Sequence, residues 1–310
     1  MSPKHISAAS AERLFAIALM CCAMVCFTGI DSSAKYLSRS LPTTEIVWIR
    51  YAVAAVFALF ASGAFVRPSI LISRRPGLQS LRSLLLLGST IANFLALRKM
   101  QLAETSTIGF LLPFFVALMA GPLLGEKVGG PRLVAIIVGF LGVVVATRPG
   151  TSAFQPIALL CVLGVVCGAG YALATRQLAG VDSPYTTLAW TQVAGIVLFT
   201  PALPFVWVTP QTSDVWFAVG LIGFCAAAGH ALHILAHHRA PAAVLAPFNY
   251  TQLIWMIFSG WFVFGDVPPV ATLFGAGLVV ACGLFLILYE RRSLPREGRE
   301  VVVPPPIYVD

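Results

Sequence analysis

The sequence predicts an all-α integral membrane protein with ten transmembrane helices, and three observations support this fold class. Of the 310 residues, 58% are hydrophobic and only 10% are charged, whereas soluble domains average about 25% charged residues. The apolar residues fall into segments long enough to cross a bilayer as helices, which takes about 20 residues each. Short sequence features of the first half also recur in the second half at a nearly constant offset.

The predicted spans follow one another with mostly short connections. They cover residues 14–34, 45–64, 79–97, 105–124, 132–148, 155–176, 186–207, 214–235, 243–263 and 269–289. Residues 1–13 form a basic N-terminal segment, and residues 290–310 form a polar tail that we expect to be flexible. The first apolar run has no small-residue cleavage site, so it is interpreted as a retained span and not as a signal peptide.

The distribution of Lys and Arg predicts that both termini are cytoplasmic. With the N-terminus inside, the basic residues toward the outside are Lys35, Arg39, Arg98, Lys99 and Arg148. Arg50 lies within the second span, and the remaining basic residues, Arg82 among them, are counted on or near the inside. An excess of positive charge on the cytoplasmic side favours this orientation.

The two halves, residues 14–148 and 155–289, are predicted to be inverted repeats. Gly125-Glu126 and Gly265-Asp266 end corresponding spans 140 positions apart. At offsets of 140 or 141, further matches are Asn93 with His233, Lys99 with Arg239, Cys26 with Cys167, Gly29 with Gly170 and Lys35 with Arg176. Five spans is an odd number, so the second copy crosses the membrane in the opposite sense. Inverted repeats are typical of secondary transporters, whose substrate sites lie near the midplane.

The stretch that organises the chain is residues 241–266, where a polar block interrupts an apolar span. A helix that met only lipid would not carry these groups, because unpaired polar groups in hydrocarbon are costly. We predict that Asn249, Tyr250 and Gln252 bind substrate through amide hydrogen bonds and aromatic stacking. The alternative is that they hydrogen-bond between helices.

Three residues on other spans are predicted to complete the binding cavity: Asn93, Tyr171 and Trp190. Their amide, hydroxyl and aromatic groups suit a polar or aromatic ligand. The alternative for Trp190 is an anchoring position at the membrane interface.

A charged pair is predicted toward the outer ends of the first two spans. Arg50 lies about two turns inside the second span, where an unpaired charge is costly. We expect it to pair with Asp31, as an outer gate or beside an anionic group of the substrate. The alternative is a structural pair, with Lys35 snorkelling to the interface. Asp266, like Glu126, is interpreted as a cap of the following helix.

The eighth span carries His230, His233 and His237 on one face. The predicted roles of His230 and His233 are proton coupling or substrate contact, because histidine titrates near neutral pH. Hydrogen bonds inside the bundle are the alternative. A transition-metal site needs more donors than this face supplies, so no metal site is predicted.

Other features argue against several classes of protein. The net charge of +8 is interpreted as a topology signal, not as a nucleic-acid footprint. The seven cysteines lie in apolar segments without a C-x-x-C pair, so they are interpreted as core residues. Neither a dinucleotide fingerprint nor a phosphate loop occurs, so no cofactor is predicted.

The sequence resembles the drug/metabolite transporter superfamily, specifically its EamA-type members with ten helices and two EamA repeats. The resemblance spans roughly residues 14–289. It rests on Arg50, on Pro113 ahead of Gly125-Glu126, and on the segment from Ala246 to Asp266.

One departure from the pattern concerns the prolines of the fourth and ninth spans. The ninth span has Leu253 where the fourth has Pro113, and its own prolines are Pro241 and Pro247. A proline breaks a helix near its own position. We therefore expect the helix break to fall at a different depth in each half.

The resemblance implies a secondary transporter, not an enzyme, in a bacterial-type inner membrane. Its partners would be membrane lipid and a small polar or aromatic metabolite. The aromatic and amide side chains among the candidate site residues weakly favour riboflavin-type uptake. Export of amino acids or related metabolites is the alternative. A membrane-embedded metal-dependent enzyme using the histidines is the alternative of another class. Whether the protein is a monomer or a homodimer stays open.

Overall fold

The computed structural model describes residues 3–62, 72–124, 129–151, 154–178, 181–240 and 242–293. Gly125-Glu126, Pro241 and most of the predicted flexible tail lie outside these ranges. All regular structure within them is helical. In chain order the helices are α1 (Pro3–Leu37), α2 (Thr43–Ser62), α3 (Pro76–Leu97), α4 (Leu102–Gly109), α5 (Leu112–Leu124), α6 (Gly130–Thr147), α7 (Ile157–Leu178), α8 (Pro184–Phe199), α9 (Leu203–Val206), α10 (Ser213–Arg239), α11 (Ala242–Asn249), α12 (Gln252–Phe264) and α13 (Val270–Ser293).

The all-α membrane class predicted from the sequence is confirmed. Seven helical stretches in the described ranges are long and apolar enough to cross a membrane, and a shorter apolar helix covers Leu133–Thr147. Many large apolar side chains on their outer surfaces are exposed, including Leu159, Phe217 and Phe274. Such surfaces are suited to contact with lipid. The count of ten spans and the position of the termini stay predictions.

Local sequence signals explain several helix ends. Ser183 begins α8 as an N-cap, and its hydroxyl accepts a hydrogen bond from the backbone N–H of Thr186 at 3.0 Å. Helix α12 ends at Gly265, whose φ of 71° is left-handed and suits glycine. The chain can therefore turn directly from α12 to Asp266.

The fourth and ninth predicted spans are each broken into two helices, and the breaks fall at equivalent positions. Helices α5 and α12 begin at Leu112 and Gln252, which are 140 positions apart. In each break a backbone N–H donates to the carbonyl three residues earlier and not four, as it would in an α-helix. Leu111 donates to Ile108 at 3.0 Å, and Thr251 donates to Phe248 at 3.1 Å. These two bonds are also related by the offset of 140.

The expectation of breaks at different depths is therefore wrong. Pro113 follows the first break and removes the N–H that would bond to the carbonyl of Gly109. Pro247 precedes the second break and lies inside α11. Pro113 thus follows its tightened turn and Pro247 precedes the equivalent one. The different positions of the two prolines therefore do not shift the position of the break.

Helix packing follows the order of the two halves. Helix α1 packs along α10, and α3, the counterpart of α10, packs along α7, the counterpart of α1. Helices α2 and α8 pack together, and so do α6 and α13. At the α6–α13 crossing Gly142 and Gly275 are so close that a side chain on either would meet the other helix. Corresponding helices thus occupy corresponding places around a common interior.

Candidate functional site

A stripe of polar residues on α3 lies at the centre of the bundle. It consists of Gln79, Arg82, Ser83, Thr90 and Asn93, whose spacing places them on one helix face. Each makes a hydrogen bond to another helix or to a loop. We call this set the α3 polar stripe. The 3.6-residue periodicity of polar residues in an apolar span was a signal that the sequence analysis did not use.

The C-terminal half of the stripe binds Asp31 and Arg50. The amide of Asn93 donates to the Asp31 carboxylate at 2.9 Å, and Arg50 donates to the hydroxyl of Thr90 at 2.9 Å. The predicted Asp31–Arg50 pair is not a direct salt bridge in the described part of the chain, although the two charges attract each other. Each charged group is held by its own residue of α3. Asn93 is beside Asp31, so two of the predicted site residues do meet.

Arg50 has few partners for a buried guanidinium. Its side chain is only 9% exposed and lies over the rings of Tyr51 and Phe94, at 4.9 and 6.0 Å from the ring centroids. Its Nε is buried with no hydrogen-bond partner among the described residues. A guanidinium has five N–H donors. Arg50 thus retains capacity to bind an acceptor.

Arg82 is a central residue that the sequence analysis misplaced. It was counted among the inner topological charges, but it is 3% exposed and lies inside the bundle. It donates to Thr175 at 2.6 Å, Thr191 at 2.8 Å, the backbone carbonyl of Thr187 at 3.1 Å and the hydroxyl of Tyr171 at 2.7 Å. These oxygens come from α7 and α8, so Arg82 joins three helices.

The predicted cavity residue Tyr171 belongs to this Arg82 cluster. Its ring lies 4.4 Å from the guanidinium carbon, in a cation–π arrangement. Tyr171 therefore positions Arg82 in this conformation. Trp190 lies half-buried on α8, one residue before Thr191, which accepts from Arg82.

His230 and His233 both face α1. The ring of Phe27 lies 5.3 Å from that of His230 and 6.0 Å from that of His233. The rings of His233 and His237 are 4.4 Å apart. The shared face predicted for these residues is therefore present in the structure. Among the described residues, no group of three His, Cys, Asp or Glu side chains is arranged to hold a metal ion.

The residues predicted on the ninth span flank the break between α11 and α12. Asn249 ends α11 and Gln252 begins α12, and both are half-buried. Neither side-chain amide makes a hydrogen bond within the described part of the chain. Tyr250 differs, because its ring packs edge-on against Phe110 at 5.0 Å. Its hydroxyl also lies against Gly283 of α13, so much of this ring is used in packing.

The described hydrogen bonds and ring contacts do not join all the predicted residues into one cluster. They link Asn93 to Asp31 and Tyr171 to Arg82. They connect neither pair to Asn249, Tyr250 or Gln252. The substrate roles of these residues stay predictions.

An ion pair lies at the C-terminal end of α1. Lys35 Nζ is 2.7 Å from Asp266 Oδ2 and also donates to the backbone carbonyl of Met100 at 2.9 Å. The side chains are 16% and 26% exposed. The predicted snorkelling of Lys35 and capping role of Asp266 are replaced by this pair, which joins α1 to the α12–α13 connection.

Comparison with protein families decides the class of this site. A sequence model described as the EamA-like transporter family matches residues 14–148 and again residues 155–289. The chain belongs to the EamA-like transporter family. The resemblance inferred from the sequence is confirmed, and membership identifies a transporter and not an enzyme.

Curated relatives of this EamA-like protein are named for different substrates. It is 24% identical over 277 residues to the S-adenosylmethionine uptake transporter of Rickettsia conorii, covering 88% of this chain and 92% of the relative. It is 29% identical to the riboflavin transporter of Vibrio cholerae, with coverage of 90% and 94%. It is 27% identical to the pseudopaline exporter CntI of Pseudomonas aeruginosa, with coverage of 83% and 90%.

A solved crystal structure of a protein shares the fold of this EamA-like chain. The TM-score is 0.60 at 18% identity, and the match covers 92% of this chain and 98% of the other. Together with the bacterial relatives and the apolar helices, family membership identifies a multi-pass protein of a bacterial inner membrane that transports a small metabolite.

Proposed function

We propose that this protein moves a small polar metabolite across the bacterial inner membrane by alternating access. In this proposal ten spans form two inverted halves, residues 14–148 and 155–289, and both termini are cytoplasmic. The two helix breaks carry the proposal. Broken helices at the repeat interface are where secondary transporters expose backbone and side-chain groups to substrate.

The interior polar groups support substrate passage along α3. Three polar side chains in the interior remain half-buried: Asp31, Asn93 and His230. Asn93 of α3 is hydrogen-bonded to Asp31 of α1, and His230 packs against Phe27 of α1. Ionisable residues within spans are costly in lipid and mark substrate or ion pathways. The path that we propose runs between the α3 polar stripe, α1 and the break at Tyr250.

The relatives do not identify the metabolite, because the three relatives are named for three different substrates. Riboflavin-type uptake is supported by the amides of Asn249 and Gln252, which are available for hydrogen bonds. It is weakened by the packing of Tyr250 against Phe110, which occupies part of the predicted stacking surface. Export of amino acids or related metabolites relies instead on the charged groups beside α3.

The test compares transport by the wild type with that by Asn249→Ala and Gln252→Ala at equal membrane abundance. Whole cells would be tested for uptake of labelled riboflavin, and inverted vesicles for accumulation of labelled amino acids, with and without a proton gradient. We expect both substitutions to abolish transport of the true substrate. Thr147→Ala, at the C-terminal end of α6, is the control because its hydroxyl donates within its own helix, to the carbonyl of Val143 at 2.8 Å.

Normal transport by both variants would show that these amides do not bind substrate. Saturable riboflavin uptake would establish an importer, and accumulation of amino acids in inverted vesicles would establish an exporter. Dependence of either on the proton gradient would direct the next substitutions to His230 and His233.

A further inference from the structure

Asp31 and Arg50 are opposite charges that attract each other but form no direct salt bridge in the described part of the chain. Asp31 is bound by Asn93 and Arg50 by Thr90, and these two partners are three residues apart on α3. Residues three apart lie on the same helix face. One face of α3 therefore binds a carboxylate and a guanidinium at neighbouring positions, and we call these two charged groups the poles.

Both poles retain capacity to bind a ligand. One carboxylate oxygen of Asp31 accepts the Asn93 bond, and the described contacts give the carboxylate no ion-pair partner. Arg50 donates to the hydroxyls of Thr90 and Tyr51, and its Nε lies buried with no partner among the described residues. A charge buried in a membrane protein is costly unless it is paired.

Arg82 shows that this arrangement is not the rule for arginine in this bundle. Four hydrogen bonds to oxygens of α7 and α8 use most of its five donors. Arg82 is thus held by the protein itself. Arg50 lies in the same interior and has fewer hydrogen-bond partners, the hydroxyls of Thr90 and Tyr51.

We propose that Asp31 and Arg50 bind the two charges of a zwitterionic substrate, its ammonium at Asp31 and its carboxylate at Arg50. The inference rests on the proposed transport function and names the substrate class of that site. Arg–carboxylate bonds are charge-assisted and can be bidentate, so the geometry of the guanidinium suits this role. A neutral ring system such as a flavin would add no counter-charge to either pole and would leave them only their mutual attraction.

The inference is tested with ligands that lack one charge. The purified full chain in lipid nanodiscs would be incubated with L-phenylalanine, L-methionine or S-adenosylmethionine, each beside its analogue without the carboxylate and its analogue without the ammonium. Riboflavin completes the panel. The measurement is the dissociation constant from ligand-induced thermal stabilisation. We expect at least one zwitterion to bind about tenfold or more tightly than both of its truncated analogues.

Substitutions assign each charge to its pole. Asp31→Asn should reduce the advantage conferred by the ammonium to about threefold or less, and Arg50→Gln should do the same for the carboxylate. Arg50→Lys keeps the charge but not the fork, so part of the carboxylate advantage should remain. Lys99→Gln removes an exposed lysine beyond the end of α3 and should leave both advantages unchanged.

The outcomes separate this inference from the transport proposal. If no zwitterion in the panel binds more tightly than its truncated analogues, or if the advantages survive both pole substitutions, the zwitterion site is wrong. Saturable cellular uptake of riboflavin with no binding of zwitterions would overturn the inference and leave the transport function intact. Absence of saturable transport for every compound would instead count against the transport proposal.

Discussion

The rings of Phe110 and Tyr250 contact each other edge to face at 5.0 Å, although the residues are 140 positions apart in the chain. That separation is the offset of the two repeats, so equivalent residues of the two halves meet at the two helix breaks. A contact between equivalent positions is expected where a pseudo-two-fold axis passes through the molecule. The contact therefore joins the break between α4 and α5 to the break between α11 and α12.

This contact predicts an effect of substitution at Gly283. A side chain at Gly283 would overlap the hydroxyl of Tyr250, so the ring that contacts Phe110 would have to shift. Overpacking of this kind costs about 1–3 kcal/mol, so Gly283→Ala should lower the thermal unfolding temperature in detergent. Gly277→Ala is the matched control on the same helix, because nothing lies within 4 Å of its added Cβ.

The control should be neutral or slightly stabilising, since alanine favours a helix over glycine by about 1 kcal/mol. Equal behaviour of the two variants would show that the ring of Tyr250 moves without cost. The transport of Gly283→Ala would then report whether the Phe110–Tyr250 contact is needed for function.

The Lys35–Asp266 ion pair predicts an effect on closure of the outer side. The pair joins α1 of the first half to the loop after α12 of the second half. A pair of this partial burial contributes on the order of 1 kcal/mol. Its loss in Lys35→Glu should favour outward-open states about fivefold. Lys35→Asp combined with Asp266→Lys should restore the wild-type balance.

Thiol labelling from outside measures that balance. Ser259 on α12 bonds to Ser32 on α1 at 2.7 Å, below the ion pair, so Ser259→Cys reports opening between these helices. The seven native cysteines would first be replaced by alanine. Lys99→Glu, on an exposed loop, serves as the charge control. Unchanged labelling in Lys35→Glu would mean that the pair does not control access.

Arg82 predicts a large loss of stability on substitution. Its removal breaks four hydrogen bonds that the charged guanidinium donates to neutral oxygens. Hydrogen bonds of charged groups contribute about 1.5–3 kcal/mol each to stability. Arg82→Ala should therefore lose about 3 kcal/mol or more of unfolding free energy, and Tyr171→Phe about half of that. Arg82→Lys should be intermediate, because an ammonium cannot reach all four oxygens.

The control for Arg82 is Arg75→Ala, whose side chain is exposed just before α3. Surface substitutions usually change the unfolding free energy by less than about 0.5 kcal/mol. Denaturation in detergent, monitored by intrinsic fluorescence, gives all of these values. Equal stability of Arg82→Ala and Arg75→Ala would contradict a central structural role for Arg82.

The sequence predicted the fold class, the family and the candidate repeat because these depend on local composition and spacing. The fourth and ninth spans, for example, were located to within a few residues by their apolar runs. The depth of their breaks was not predicted, because it is set by the three-residue backbone bonds at Leu111 and Thr251 and not by the prolines alone.

Long-range pairing was the other part that sequence reasoning could not supply. A lone arginine near the start of a span, such as Arg82, has the pattern of a topological charge. Its burial depends on oxygens supplied by α7 and α8, about 90 to 110 positions away. The partners of Lys35 and Asp31 are likewise distant in the chain. A search for polar residues at helical spacing on α3 would have identified the stripe but not its partners.

The last prediction concerns pH and the loop on the predicted cytoplasmic side. Burial alone would raise the pKa of the Asp182 carboxyl, but hydrogen bonds from Ser73, the backbone N–H of Arg74 and Gln79 outweigh it and lower the pKa below its ordinary value. A depressed pKa in the folded state stabilises the protein above the unfolded-state pKa, which is about 3.9 for Asp. That contribution is lost as the pH falls through the lower, folded-state pKa.

Asp182→Asn isolates this effect because it keeps the shape of the side chain and removes its charge. We expect the unfolding temperature of the wild type to exceed that of Asp182→Asn by a constant amount at neutral pH. The difference should shrink below about pH 4, where the unfolded state begins to bind the extra proton. Thermal scans of both proteins in the same detergent, from neutral to acidic pH, measure it. A difference that grows on acidification would mean that the folded state holds the Asp182 proton more tightly, and the hydrogen bonds to Ser73 and Gln79 would then not stabilise the charged form.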